Sequence, residues 1–76
     1  MTLFELETGK SGIITAVRGE GNLRNRLLDM GLIPHTYVTK TKIAPLGDPM
    51  QISLRGYELT LRNDDAKNID VREAEV

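Results

Sequence analysis

The chain has 76 residues, no cysteine and a formal net charge of −1, which allows one domain with a modest core and excludes a disulfide frame or a thiolate metal site. The charge balance gives no overall pull toward nucleic acid or anionic lipid, and no apolar run approaches the roughly 18 residues that span a bilayer. The opening "MTLFELETGK" carries glutamates and lacks the basic start and apolar middle of a secretory leader, so a cytoplasmic location is expected.

In chain order, "GKSGIITAVRGEG" comes first. Ile13, Ile14, Thr15 and Val17 are branched at Cβ and suit a pleated surface, so this run reads as a strand that Gly19 and Gly21 end. "NLRNRLLDMGLIP" reads as a helix over residues 22–30. Asn22 is placed to accept a first-turn N–H, and Leu23, Leu27, Leu28 and Met30 share one face. Gly31 stands where a helix ends in the left-handed conformation, Leu32 follows where it can fold back on the last turn, and Pro34 forbids continuation.

"TYVTKTKI" predicts a strand over 36–43. "MQISLRGYELTLR" predicts a hairpin: Ile52 and Leu54 face one way, Gln51 and Ser53 the other, and Arg55-Gly56 turns the chain. Tyr57, Leu59 and Leu61 then resume the period of two. "NDDAKNI" predicts a helical turn with Asn63 as its cap and Asp64 and Asp65 at its positive end. "IDV" closes the series as a short strand. Five short strands in so small a chain point to a mostly antiparallel β-barrel, with the helix over one end.

Chemistry is sparse. His35 is the single histidine, and neither Ser11 nor Ser53 has a recognisable base beside it, so no nucleophile–base–orienter set is visible and His35 reads as a surface turn residue. Asp64-Asp65, Glu73 and Glu75 fall at a helix start and a tail, where the helix dipole and solvation account for them. One histidine cannot supply a two-histidine, one-carboxylate iron site, and no loop spaces its oxygens for a hard cation. "RGEGN" lacks the lysine of a phosphate loop and reads as a glycine turn feeding a helix. Arg18, Arg24, Arg26, Lys40 and Lys42 form a conceivable basic face. Phe4, Tyr37 and Tyr57 are too few to stack bases or to line a proline-peptide groove. No catalytic residue, metal or cofactor is expected.

The remaining feature is "APLGDP", Ala44 to Pro49. Pro45 sets φ for a turn, Gly47 permits positive φ, and Asp48 before Pro49 favours turn initiation. A stiff loop loses little entropy when bound. Leu46 at its tip is either folded back or exposed. Exposed beside Leu32, Ile33 or Met50, it would contribute to an apolar patch of the kind that marks a partner site.

"RLLDMGLIP" (Arg26–Pro34), "APLGDP" (Ala44–Pro49), "RGYELTLR" (Arg55–Arg62) and the closing Ala66, Ile69 and Val71 resemble the ferrous iron transport protein A (FeoA) family, over about Leu6 to Val71. The resemblance implies an SH3-like β-barrel and a small cytoplasmic accessory of the ferrous iron transporter FeoB, whose cytosolic portion binds GTP. Direct iron binding is not implied. Leu27, Met30, Gly31 and Leu32 match the family's helix and its stop. Residues 44–49 match its loop, and Gly56, Tyr57, Leu59, Leu61 and Arg62 its hairpin. His35 stands where the family has glycine, and Lys40 where it is apolar. The expected partner contacts are Met30, Leu32, Ile33, Leu46, Gly47 and Asp48, with Asp48 suited also to holding the turn. Self-association through the same apolar surface is compatible with this. The alternative is a stand-alone metal-responsive module binding a divalent transition metal through carboxylates.

Overall fold

The computed structural model describes residues 1–74, so the tail carboxylate Glu75 lies outside the described residues. Five strands and two short helices follow one another: β1 (Ser11–Val17), α1 (Leu23–Asp29), β2 (Tyr37–Ile43), β3 (Met50–Leu54), β4 (Tyr57–Leu61), α2 (Asn63–Ala66) and β5 (Ile69–Glu73). The strands form one antiparallel sheet in the order β4-β3-β2-β1-β5. The sheet bends, with register shifts between Ile14 and Ala16 and between Lys40 and Lys42. Such irregularities add local twist and turn a strand. The result is barrel-like but not closed: β4 and β5 are its two edges.

Alternation decides what faces the core. On β3, Met50, Ile52 and Leu54 are buried while Gln51 and Ser53 lie outward. Ile14, Val17, Val38, Leu61, Ile69 and Val71 complete the strand contribution to the core. Two core leucines come from a segment with no periodic pattern. Leu3 and Leu6 are buried, and the N-terminal residues lie on β5, with Leu3 N–H donating to Ile69 O at 2.8 Å and Val71 N–H to Met1 O at 2.8 Å.

The stop of α1 is as the sequence requires. Leu32 N–H reaches Leu27 O at 3.1 Å and Gly31 N–H reaches Leu28 O at 2.9 Å, the paired bonds of a Schellman end. Leu32 and Leu27 share the core cluster. Gly31 has φ +99°, and a Cβ there would stand 2.5 Å from Tyr57 Oη, which donates to Met30 O at 2.9 Å. Both capping expectations need correction. Asn22 makes no side-chain cap bond and sits at φ −86°, ψ −5°, a helical conformation that aims its side chain away from the first-turn amides. Asn63 is the first residue of α2 rather than its cap, which is the extended Arg62.

Two residues depart from ordinary strand and turn chemistry. His35 has φ +74°, and its N–H donates to Ile14 O at 2.7 Å, which ties the turn to β1. Lys40 is buried at 4% exposure. Its Nζ donates to Phe4 O at 3.0 Å and lies 5.8 Å from the Phe4 ring centroid, so the ammonium ends under the N-terminal segment rather than at an open rim. Burial pushes its pKa below the ordinary lysine value, because the charged form loses hydration.

His35→Gly should raise the urea midpoint without changing the slope. The left-handed conformation costs an L-residue about 1–2 kcal/mol and glycine returns about 0.5–1 kcal/mol of that as entropy, leaving a net gain of about 0.5 kcal/mol. Lys40 gives a pH signature. As pH climbs toward 10.5, the folded chain releases a proton that the unfolded chain still holds, so this residue's contribution to stability rises with pH. Comparing urea unfolding of the wild type and Lys40→Met from neutral to alkaline pH should show that rise in the wild type alone.

Candidate partner-binding site

The Ala44–Pro49 loop joins β2 to β3 and is closed twice. Ala44 N–H donates to Pro49 O at 2.9 Å and Gly47 N–H to Ala44 O at 2.8 Å. Gly47 has φ +93° and the Asp48–Pro49 peptide is cis. A third tie comes from α2. Asn63 N–H donates to Asp48 Oδ1 at 3.0 Å and Asn63 Nδ2 to Gly47 O at 2.6 Å. Asp48 therefore supplies from a distant loop an acceptor for the first N–H of α2, one of the amides that a helix start leaves without an internal partner.

This bonding leaves the Leu46 side chain with nowhere to fold. It is 98% exposed, and fully burying such a side chain is worth about 1.5–3 kcal/mol. Single exposed leucines are common, so exposure alone decides little. The setting adds more. Beside the loop lies an open cleft of about 250 Å³, lined by Ile43, Ala44, Pro45, Pro49 and Met50 and also by the polar Lys42, Gln51 and Thr60, with Ile43 itself 42% exposed. A second cleft, of about 210 Å³, is lined by Asp48, Pro49 and Arg62.

The structure divides the expected contact residues. Leu32 is 0% exposed, because the Schellman end folds it into the core, so it is not a surface contact. Met30 is half-buried and Ile33 exposed, at the end of β2 where that strand begins. Leu46, Gly47 and Asp48 lie past its other end. The seven-residue strand β2 lies between the two groups, and it alone spans roughly 20 Å at about 3.3 Å per residue. They are two surfaces and not one continuous patch.

The candidate basic face is largely spent internally. Arg18 grips Asp70 through two bonds, at 3.0 and 2.8 Å, and also donates to Lys67 O. That guanidinium holds the Asp70 carboxyl below the usual range. Arg24 donates to Val17 O, Arg26 lies 3.4 Å from Asp65, and Lys40 is buried. Ser11 Oγ bonds Thr39 Oγ1 at 2.7 Å. Among the described residues, no three His, Cys, Asp or Glu side chains are grouped so as to hold a metal ion.

A bent five-stranded sheet with a projecting, triply tied hairpin loop defines a small SH3-like β module. The FeoA domain model matches residues 1–73, and the chain belongs to the FeoA domain family. It is 39% identical over 71 residues to the Fe(2+) transport protein A/Fe(2+) transporter FeoB fusion protein of Porphyromonas gingivalis, covering 93% of this chain and 8% of that protein's length. The solution structure of the FeoA protein from Chlorobium tepidum superposes with a TM-score of 0.90 at 36% identity, covering 99% of this chain and 71% of that one. The zinc complex of Stenotrophomonas maltophilia FeoA, a prokaryotic SH3 domain protein, superposes with a TM-score of 0.81 at 25% identity, covering 95% and 89%.

Replacing Asp48 with alanine should lower stability by about 1 kcal/mol, the usual cost of a lost cap, whereas Asp48→Asn should cost only a few tenths. Urea unfolding measures both, and equal stability of Asp48→Ala and the wild type would show that the Asn63 bond adds nothing.

Proposed function

We propose that this chain is a cytoplasmic accessory of ferrous iron uptake that docks on the cytosolic, GTP-binding part of a FeoB-type transporter through the Ala44–Pro49 loop. The observation that carries the reading is a leucine held 98% exposed on a loop that bonds to itself and to α2. Loop ordering is already complete in the free chain, so binding forfeits little entropy. Leu46 offers an anchor for a partner pocket, and the neighbouring cleft, apolar at Ile43, Pro45 and Pro49 and polar at Lys42, Gln51 and Thr60, accepts a side chain in return. Gly47 leaves the tip uncrowded, and Asp48 holds the turn with one oxygen while the other remains available. The fusion relative supports the choice of partner, because there the two proteins share one polypeptide. Among the described residues no helix is long and apolar enough to cross a membrane.

Leu46→Asp should weaken binding to the transporter's isolated cytosolic domain at least tenfold, which is about 1.4 kcal/mol, with urea unfolding unchanged. Ile33→Asp, at the opposite end of β2, should leave binding intact. Undiminished binding by Leu46→Asp would remove the loop as the contact. Anaerobic calorimetry with ferrous ion tests the metal-responsive alternative, which micromolar binding to the isolated chain would favour.

A further inference from the structure

The two edges of the sheet are treated differently. The β5 edge is covered by the N-terminal segment, through Leu3 N–H to Ile69 O, Val71 N–H to Met1 O and the Thr2–Asp70 bridge. The β4 edge has no such cover among the described residues. The Arg55-Gly56 turn, with φ +49° and +84°, pairs Leu54 with Tyr57. In such a two-residue hairpin the flanking pair is hydrogen-bonded, and hydrogen-bonded and non-hydrogen-bonded pairs then alternate. Tyr57, Leu59 and Leu61 thus direct their main-chain groups at β3, and Glu58 and Thr60 direct theirs at the open side. Arg62 is extended, at φ −70° and ψ 146°, and continues that alternation with its N–H. None of these outward groups has a backbone partner among the described residues. Open edges of this kind are templates for another strand.

What the edge fits is written in its side chains. The run Glu58-Leu59-Thr60-Leu61-Arg62 is its own charge complement when reversed. We propose that β4 pairs antiparallel with β4 of a second copy about a two-fold axis at Thr60. Thr60 then faces Thr60 of the other copy, Leu59 faces Leu61, and Glu58 faces Arg62, twice over. Hydrogen bonds join the outward residues, while Leu59 stands opposite Leu61 in the non-hydrogen-bonded pairs, half-buried Leu59 extending the inner face that the core residue Leu61 already lines. The charges are available. Arg62 is exposed and makes no ion pair among the described residues. Glu58 is held across the outer face by Gln51 Nε2 through one oxygen, leaving the other for a guanidinium. Five residues of edge cover less than the roughly 800 Å² per partner of a standard stable interface, so the dimer is weak and forms at high concentration. The Leu46 tip lies outside the strand contact but Thr60 lines the cleft beside it, so docking is measured at concentrations where the chain is monomeric, and a failure of the dimer and a failure of docking are then separately observable.

Charge swapping tests the register. Sedimentation of the full chain from about 20 μM to about 1 mM, a range that brackets a weak dissociation constant, should show a rising mean mass. Glu58→Arg and Arg62→Glu, each of which sets like charges opposite one another, should both remain monomeric, and Glu58→Arg/Arg62→Glu should regain dimer formation. In the wild type, amide exchange at Glu58 and Thr60 should slow about fivefold when the total concentration reaches about ten times the dissociation constant, where about a fifth of the chain is still monomer. A mean mass that stays monomeric throughout would overturn the proposal. So would a dimer that both single variants retain, a double variant that fails to recover while folded, or exchange at Glu58 and Thr60 that ignores concentration.

Discussion

A single five-stranded sheet can enclose a core only by bending back on itself. In this chain the bending is done at two register shifts, one on each of the central strands β1 and β2. Lys40, just before the second shift, shares the inner face with Val38, and its amine is satisfied by Phe4 O beneath the N-terminal segment. The core leucines Leu3 and Leu6 belong to the same arrangement: the segment that supplies them also covers the β5 edge and the lysine. Remove the curl and the core, the cover and the buried amine all lose their places together.

The curl also explains why the polar side chains of this protein are so occupied. Arg18 and Asp70 bind β1 to β5, Arg26 meets Asp65 of α2, and Arg55 Nη2 satisfies the buried Thr36 hydroxyl at 2.9 Å. Tyr57 holds the end of α1 through Met30 O. Exposed pairs of this sort add little to stability, but they fix how the connecting segments sit on the sheet. The Ala44–Pro49 loop is the same device turned outward. Its polar residues are engaged with Asn63 and with the loop's own backbone, which leaves an apolar side chain as the part that faces water.

Features determined within a few residues were readable in advance. The α1 stop depends on Leu27, Leu28, Gly31 and Leu32, all within one turn of each other, and the hairpin on Arg55-Gly56 between alternating residues. Both stand where the pattern places them. Caps were misread, because an asparagine before a helix is a local cue while its actual partner is tertiary: Asn63 bonds to Gly47 and Asp48, sixteen and fifteen positions back. Leu3 and Leu6 carry no period, so nothing local marks them as core. The site suffered from the same limit. The chemistry of its loop leaves Leu46 either folded back or exposed until the bonds to Asn63 are seen, and only composition groups Leu32 and Ile33 with it. Only the length and direction of β2 reveal that Ile33 lies at the far end and that Leu32 is turned inward.

The pairing of β1 with β5 has a consequence for how the molecule is made. Ser11–Val17 is synthesised before the rest of the sheet, yet one of its two neighbours is Ile69–Glu73, more than fifty residues later. The helix stop and the β3–β4 hairpin can form while the nascent polypeptide is still emerging, since their contacts are local. The sheet cannot be finished until Glu73 has left the ribosome, and contacts of such sequence separation are slow to close. During that interval the side of β1 that takes β5 stays open, which ties the birth of the folded state to the synthesis of Ile69–Glu73.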